Sequence, residues 1–285
     1  MIGQSEIIGI IKKALFYILV SFICILVLTP FMFLIVYSLR TDSEIFSLDI
    51  HFIPKAPNLD AYKKAIISYE VGGVKFTNWA LNSFLVCGIA TLVCIYVSSM
   101  CGYGISRFHF FGRRPLWFII LFTQTMPWVV VLIPYYILLG KFGMLDKSSA
   151  LSLSYLAVFT PISVWLFTGF FKNLPVEIEE AARIDGCSHF SVFYHIIMPL
   201  SVPGIAAIAL FTFIIGWSDY LLASILISSV EKWTLPIGLS NFMQEHNILW
   251  AELTAMSTVI TIPIVIIFLF LQKYLIDLLA GSIKQ

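Results

Sequence analysis

A chain of 285 residues that is 60% hydrophobic and only 12% charged is not an ordinary soluble domain, which carries about twice that charged share. Its mean hydropathy of +0.96 comes from apolar runs too long to be core strands, and the composition defines an all-α, polytopic membrane protein. A net charge of +1 provides no field that would draw nucleic acid or an acidic partner.

Six stretches reach spanning length, at 14–39, 80–105, 115–139, 149–171, 201–227 and 255–275. The first follows Lys12 and Lys13, is too long for the apolar region of a signal peptide, and lacks a small-residue cleavage site, so it reads as a retained span. Pro54 and Pro57 then break the chain ahead of a short amphipathic helix near Ala61 to Ile67. Asn82, Ser83, Ser98 and Ser99 dilute the second span, which belongs inside the bundle where neighbours satisfy its polar groups. Cys87, Cys94 and Cys101 recur every seven residues on one face of that span. They read as small residues that let helices approach rather than as a thiol site. With Cys24 and Cys187 they form neither a disulfide framework nor a metal pattern.

A tight loop carrying Arg107, Arg113 and Arg114 joins spans two and three, and residues 140–148 form a Gly-rich turn before span four. Basic residues in short loops stay on the cytoplasmic side, so Lys12, Lys13 and this loop predict a cytoplasmic N-terminus. Six spans return the C-terminus, with Lys284, to the same side. Residues 228–254 carry Trp233, Phe242 and Trp250, which suit an interfacial or partner-docking position. No internal repeat is visible, and residues 1–285 read as one transmembrane domain.

The segment from Lys172 to Pro199 reads as two short helices joined by a sharp turn. Pro175 opens the first, and Glu177, Glu179 and Glu180 lie near its positive N-terminal end. Gly186 is placed to stop it in the left-handed conformation, and Ser188 to cap the second helix. The apolar residues Val192, Phe193, Ile196 and Ile197 then lead to a stop at Pro199. Ala181 and Ala182 offer a surface that another chain can approach closely. The acidic residues, including Asp185, disfavour a helix lying on anionic lipid.

Glu180-Ala181-Ala182, three further residues, Gly186, nine further residues, Ile196, one residue, and then Met198-Pro199 resemble the EAA loop of permease subunits of binding-protein-dependent ABC importers. Met198 stands where Leu is usual, a volume-conserving exchange. The resemblance implies a six-helix type I permease of a prokaryotic cytoplasmic membrane. It also implies a cytoplasmic coupling helix that docks on an ATPase through Glu180, Ala181, Ala182, Asp185, Gly186, Ile196 and Pro199. Its implied partners are a second, different permease, an ATPase dimer that holds ATP and Mg, and an extracytoplasmic solute-binding protein.

Further segments resemble the carbohydrate, maltose-type branch. These are Pro57-Asn58-Leu59-Asp60-Ala61-Tyr62, Asn82-Ser83, Gly143-Met144-Leu145-Asp146 and Trp217-Ser218-Asp219. The tail from Leu278 to Gln285 resembles one that reaches the ATPase interface, which implies contacts from Gly281 and Lys284. A sugar or oligosaccharide is then the expected cargo.

Polar residues within spans are costly in lipid, so Asn82, Gln124, Trp217, Asp219 and Tyr220 are candidates for the substrate pathway, or for bonds between helices. Pro30, Pro127, Pro134, Pro161 and Pro263 are candidate hinges. Gly140-Lys141 lacks both the upstream Gly and the following Ser/Thr of a phosphate-binding loop, so the ATPase is expected on another chain and this one is not an enzyme. The histidines show no metal-ligand spacing. An importer of glycerol phosphate or amino acids is a rival within the class. An ion-coupled secondary transporter predicts paired in-span carboxylates and an inverted repeat, whereas Asp219 stands alone.

Overall fold

Backbone groups in hydrocarbon must satisfy one another, and the apolar runs do so as helices. The computed structural model describes residues 4–47, 53–243 and 248–283. Helix α1 (Gln4–Ser38) is followed by the short α2 (Asp42–Ile45) and α3 (Asp60–Lys63), the latter extended by a π-turn over Lys64–Ser68. A hairpin of β1 (Glu70–Val71) and β2 (Val74–Lys75) turns on Gly72 and Gly73, both at positive φ. Helices α4 (Phe76–Arg107), α5 (Arg113–Thr125), α6 (Trp128–Lys141), α7 (Ser148–Lys172) and α8 (Val176–Ile184) come next. Then follow α9 (His189–Val192), a π-turn over Phe193–Ile197, α10 (Met198–Leu200), α11 (Val202–Ser218), α12 (Leu221–Leu226), α13 (Leu235–Ser240) and α14 (Trp250–Ile283).

Among the described residues four helices are long and apolar enough to cross a membrane, and the number rises to six where each of two bent helix pairs counts as one span. The residues fall into two compact units, one within Met1–Tyr69 and Asn241–Ile260, the other within Glu70–Ser240 and Thr261–Gln285. In the first, α1 presents its apolar side chains outward along Gly9–Ser38. The expected amphipathic helix near Ala61 is present as α3 and its π-turn. Ala61 packs on Ala251 and Ala255, and the Tyr62 hydroxyl lies 2.7 Å from that of Ser38. Phe242 is fully buried against the Tyr69 ring, 4.2 Å away, so it is a packing residue rather than an interfacial one.

The second unit is organised by α4 against α7. Small residues recur along the buried face of α4, among them Ser83, Cys87, Ala90, Cys94, Ser98 and Gly102. A methyl group on Gly102 would sit 2.7 Å from the Phe167 Cβ, so the backbones can meet only because none is there. Cys87 and Cys94 lie on this contact face, as the packing reading of the heptad expects, whereas Cys101 is exposed and does not. The diluted second span turns its polar residues into the bundle, while Leu81, Phe84, Ile89 and Leu92 on its other side are exposed. Ser83, Ser98 and Ser99 are buried, and Ser98 bonds the Cys94 carbonyl one turn back.

Two spans differ from the sequence expectation. The third is broken between α5 and α6 by a 99° bend. Pro127 has no N–H and forces Met126 into an extended conformation (ψ 126°), so the helix cannot continue. Pro30, Pro134, Pro161 and Pro263 lie within unbroken helices. The fifth span stops at Ser218 rather than 227, because the Asp219 carboxylate accepts hydrogen bonds from the Leu222 and Ala223 amides and starts α12 afresh.

A clasp closes the end of this unit where α4 begins. Asp146, at φ +57°, accepts bonds from the Ser228 and Ser229 amides, the Ser229 hydroxyl and the Lys232 ammonium. The Trp79 indole donates to the Val230 carbonyl at 3.1 Å and packs against Trp233, which therefore also faces inward. Partial desolvation pushes the Asp146 carboxyl up, but the bonds from Lys232, Ser229 and the two amides outweigh it and hold the group well below the usual carboxylate range. The clasp is therefore at full strength above the unfolded value of about 3.9 and is lost as pH falls further. Melting curves of the purified protein should show Asp146→Asn destabilised at pH 7, with the gap to the wild type narrowing as pH drops below about 4.

Candidate functional site

The segment between α7 and α11 forms a helical elbow whose two ends are fixed by local chemistry. Pro175, in extended conformation, precedes α8. At the other end Gly186 adopts φ +90°. The Gly186 amide bonds the Arg183 carbonyl at 3.1 Å and the Cys187 amide bonds the Ala182 carbonyl at 3.0 Å, the paired closure of a Schellman motif. The Ser188 hydroxyl then accepts from the Ser191 amide at 3.2 Å and caps α9. Pro199 does not stop the second helix as expected. Helical structure continues through the π-turn and α10 to Leu200, and the 75° bend into α11 falls at Ser201. Proline is tolerated there because it occupies the first turn of α10.

One face of α8 is fastened to α4. Glu179 is buried, and its Oε1 accepts from Arg107 Nε at 2.6 Å while its Oε2 accepts from the Tyr103 hydroxyl at 2.8 Å. Arg107 Nη2 also donates to the Leu174 carbonyl at 3.0 Å, so one guanidinium holds both α8 and the residue before its opening proline. The two side chains retain 11% and 8% exposure, low enough that neither charge could be left alone. Tyr103 is walled by Phe171 and Phe193, and the cluster includes Ala182, Val192 and Ile197.

Burial corrects part of the sequence expectation. Ala182 turns inward, where its small side chain lets α8 approach Tyr103 and Phe193, and it is not on the open surface. Ile196 is half-buried against the same cluster. Glu180, Ala181, Asp185 and Gly186 are exposed, together with Pro199. Sequence reasoning missed Ile184 and Phe190, which stand 87% and 67% exposed beside them. Exposed apolar residues rimmed by charge mark an interaction surface.

The candidate pathway residues do not converge. Asn82 donates to the carbonyls of Glu231 and Trp233 at 2.7 and 3.0 Å. Trp217 is buried and stacked on Phe213. Asp219 accepts from the Tyr155 hydroxyl at 3.0 Å besides capping α12. Gln124, one turn before the break in the third span, and Tyr220 are exposed. Gly281 lies in the final turns of α14, and Lys284 is outside the described residues.

A helical membrane bundle carrying such an elbow has a counterpart among solved structures. The chain superposes on a crystal structure of a bacterial ABC transporter involved in the import of the acidic polysaccharide alginate, with a TM-score of 0.80 and 21% identity over 96% of this chain and 99% of that one. The two chains thus share one fold along almost their whole lengths. Residues 94–280 match the family of binding-protein-dependent transport system inner membrane components, and the chain belongs to that family. Its relatives include the arabinooligosaccharides transport system permease protein AraQ of Bacillus subtilis, 30% identical over 96% of this chain and 95% of that protein. The trehalose/maltose transport system permease protein MalG of Thermococcus litoralis is 29% identical over 96% and 98%.

The buried pair gives a local prediction. Removing one member of a buried ion pair costs about 3–5 kcal/mol, whereas an exposed side chain far from such features is worth about 0.5 kcal/mol or less. Glu179→Ala should therefore accelerate hydrogen exchange of the α8 amides by at least a hundredfold (about 2.8 kcal/mol), and Glu180→Ala should leave it nearly unchanged.

Proposed function

We propose that this chain is the permease subunit of an ATP-driven importer that carries a sugar or oligosaccharide across the prokaryotic cytoplasmic membrane by alternating access. The observation that carries the reading is the elbow, held inward by Glu179 while it presents Glu180, Ala181, Ile184 and Asp185 outward. A surface built this way does no chemistry and suits a mechanical joint. ATP and Mg belong to a separate ATPase dimer, and a second permease and an extracytoplasmic binding protein complete the transporter. Support for a saccharide comes from the substrates named for AraQ and MalG. The spans hold no Arg/Lys cluster that would suit a phosphate ester, which favours a neutral sugar.

With Lys12, Lys13, Arg107, Arg113 and Arg114 on the cytoplasmic side, the elbow and both termini face the ATPase. By its resemblance to a tail that reaches the ATPase interface, the C-terminal segment contacts the same partner through Gly281 and Lys284. When the ATPase dimer closes, it displaces α8. The Glu179–Arg107–Tyr103 contacts pass that displacement to α4, and the close packing at Gly102 passes it to α7. The helix breaks at Met126–Pro127 and at Asp219 are the positions where spans can change direction. Gln124 and Tyr220, being exposed, are the residues best placed to bond a passing sugar, while Asn82, Trp217 and Asp219 shape the wall from within. Residues 1–285 act as one transmembrane domain in this cycle.

Gly186→Val places a β-branched residue at φ +90°, and Glu180→Lys inverts a charge on the docking face. In proteoliposomes holding the whole transporter and its binding protein, each should lower uptake of a labelled sugar by about tenfold or more, the equivalent of about 1.4 kcal/mol of lost coupling. Hydrolysis of ATP should continue. Normal uptake with both substitutions contradicts the docking role.

A further inference from the structure

Beside the elbow, α5 opens with a charge arrangement that its own helix does not stabilise. Arg113 and Arg114 occupy the first turn, where the helix dipole is already positive and where no acidic residue stands. Lys172, in the last turn of α7, borders the same hollow and lies over the Trp117 ring at 5.5 Å. The hollow has a volume of about 630 Å³ and no carboxylate on its lining. Among the described residues no carboxylate pairs with Arg113, Arg114 or Lys172. Three cations and a helix N-terminus thus converge without a counter-charge from the described residues.

The hollow adjoins a second one of about 520 Å³, with Ile105 and Phe110 lining both. That second space runs between α4, α5 and α7 along Cys101, Leu116, Ile120, Ala157 and Val164, and is almost entirely apolar. A basic chamber adjoining a narrow apolar groove on membrane helices matches one kind of molecule, an amphiphile with an anionic head and a hydrocarbon tail. A soluble phosphate has no use for the groove, and a partner helix has none for the unpaired cations.

We propose that this is a binding site for an anionic phospholipid, with its phosphodiester held by Arg113, Arg114 and Lys172 and an acyl chain laid in the groove past Ala157. Trp117 marks the headgroup level, as amphipathic indoles do at a membrane boundary. The bound lipid bridges the α4–α5 loop to the end of α7, two residues before the Leu174 carbonyl that Arg107 holds. It therefore braces the base of the elbow. The inference needs only that α4, α5 and α7 lie in the membrane, and stands whatever the cargo is.

The test is native mass spectrometry of the assembled transporter from nanodiscs of phosphatidylcholine with dioleoylphosphatidylglycerol. The expected result is retained phosphatidylglycerol on this subunit. Each basic residue near an anionic headgroup contributes about a fivefold factor, so the triple variant R113Q/R114Q/K172Q should retain it about a hundredfold less. Ala157→Phe, which fills the groove and keeps the charges, should also expel the lipid, and millimolar inorganic phosphate should not displace it. Equal retention by wild type and triple variant overturns the site. Retention by Ala157→Phe with displacement by phosphate makes it a soluble-anion site and overturns the lipid. No retained lipid in the assembled wild type, the result if a partner helix fills the groove, overturns it as well.

Discussion

A carboxylate cannot be buried at the foot of a membrane bundle without partners, and the structure around Glu179 is organised by that requirement. Arg107 and Tyr103 supply the bonds, and both come from the last turns of α4. The pairing fixes which face of α8 points inward, and so which residues remain open to another chain. Because Arg107 also holds the Leu174 carbonyl, α8 is restrained at its start as well as along its length. Buried ion pairs add little net stability compared with apolar packing, but they tolerate little misplacement. That property suits the proposed role of α8 in transmitting force in a fixed direction.

From α4 the constraint extends by shape. In hydrocarbon there is no hydrophobic gain from joining two helices, so close van der Waals contact must hold them. The small residues from Ser83 to Gly102 provide it against α7. The far end is locked differently, by hydrogen bonds from the Ser228–Lys232 loop to Asp146 and by Trp79. Gly238 must lack a side chain there, since a Cβ would lie 2.1 Å from the Trp79 ring. Movement is then left to the interrupted spans rather than to the α4–α7 pair.

What the sequence made legible was local. The left-handed Gly186, the Ser188 cap and the interior place of the second span's polar residues follow from neighbours within a few residues, and each is as expected. The latch was hidden because its partners are 72 and 76 residues apart. Glu179 looked like one of three equivalent acidic residues, and Arg107 like an ordinary topology signal. The only available hint was that Glu179 and Ala182 share a helix face at a spacing of three. Asp219 was legible only as two alternatives, a pathway residue or a bond between helices, and its carboxylate caps α12 and bonds Tyr155 of α7. Of the five candidate hinge prolines only Pro127 breaks a span, which no propensity distinguishes in advance.

We propose that the exposed face of α8 is the joint through which a separate ATPase moves this subunit. Placing a photo-crosslinking amino acid at position 181 of the assembled transporter tests it most directly. The account predicts one dominant crosslink, to the ATPase subunit, whose yield changes when nucleotide closes the dimer. Crosslinks to lipid or to no chain at all, in a complex that still hydrolyses ATP and transports, would contradict it.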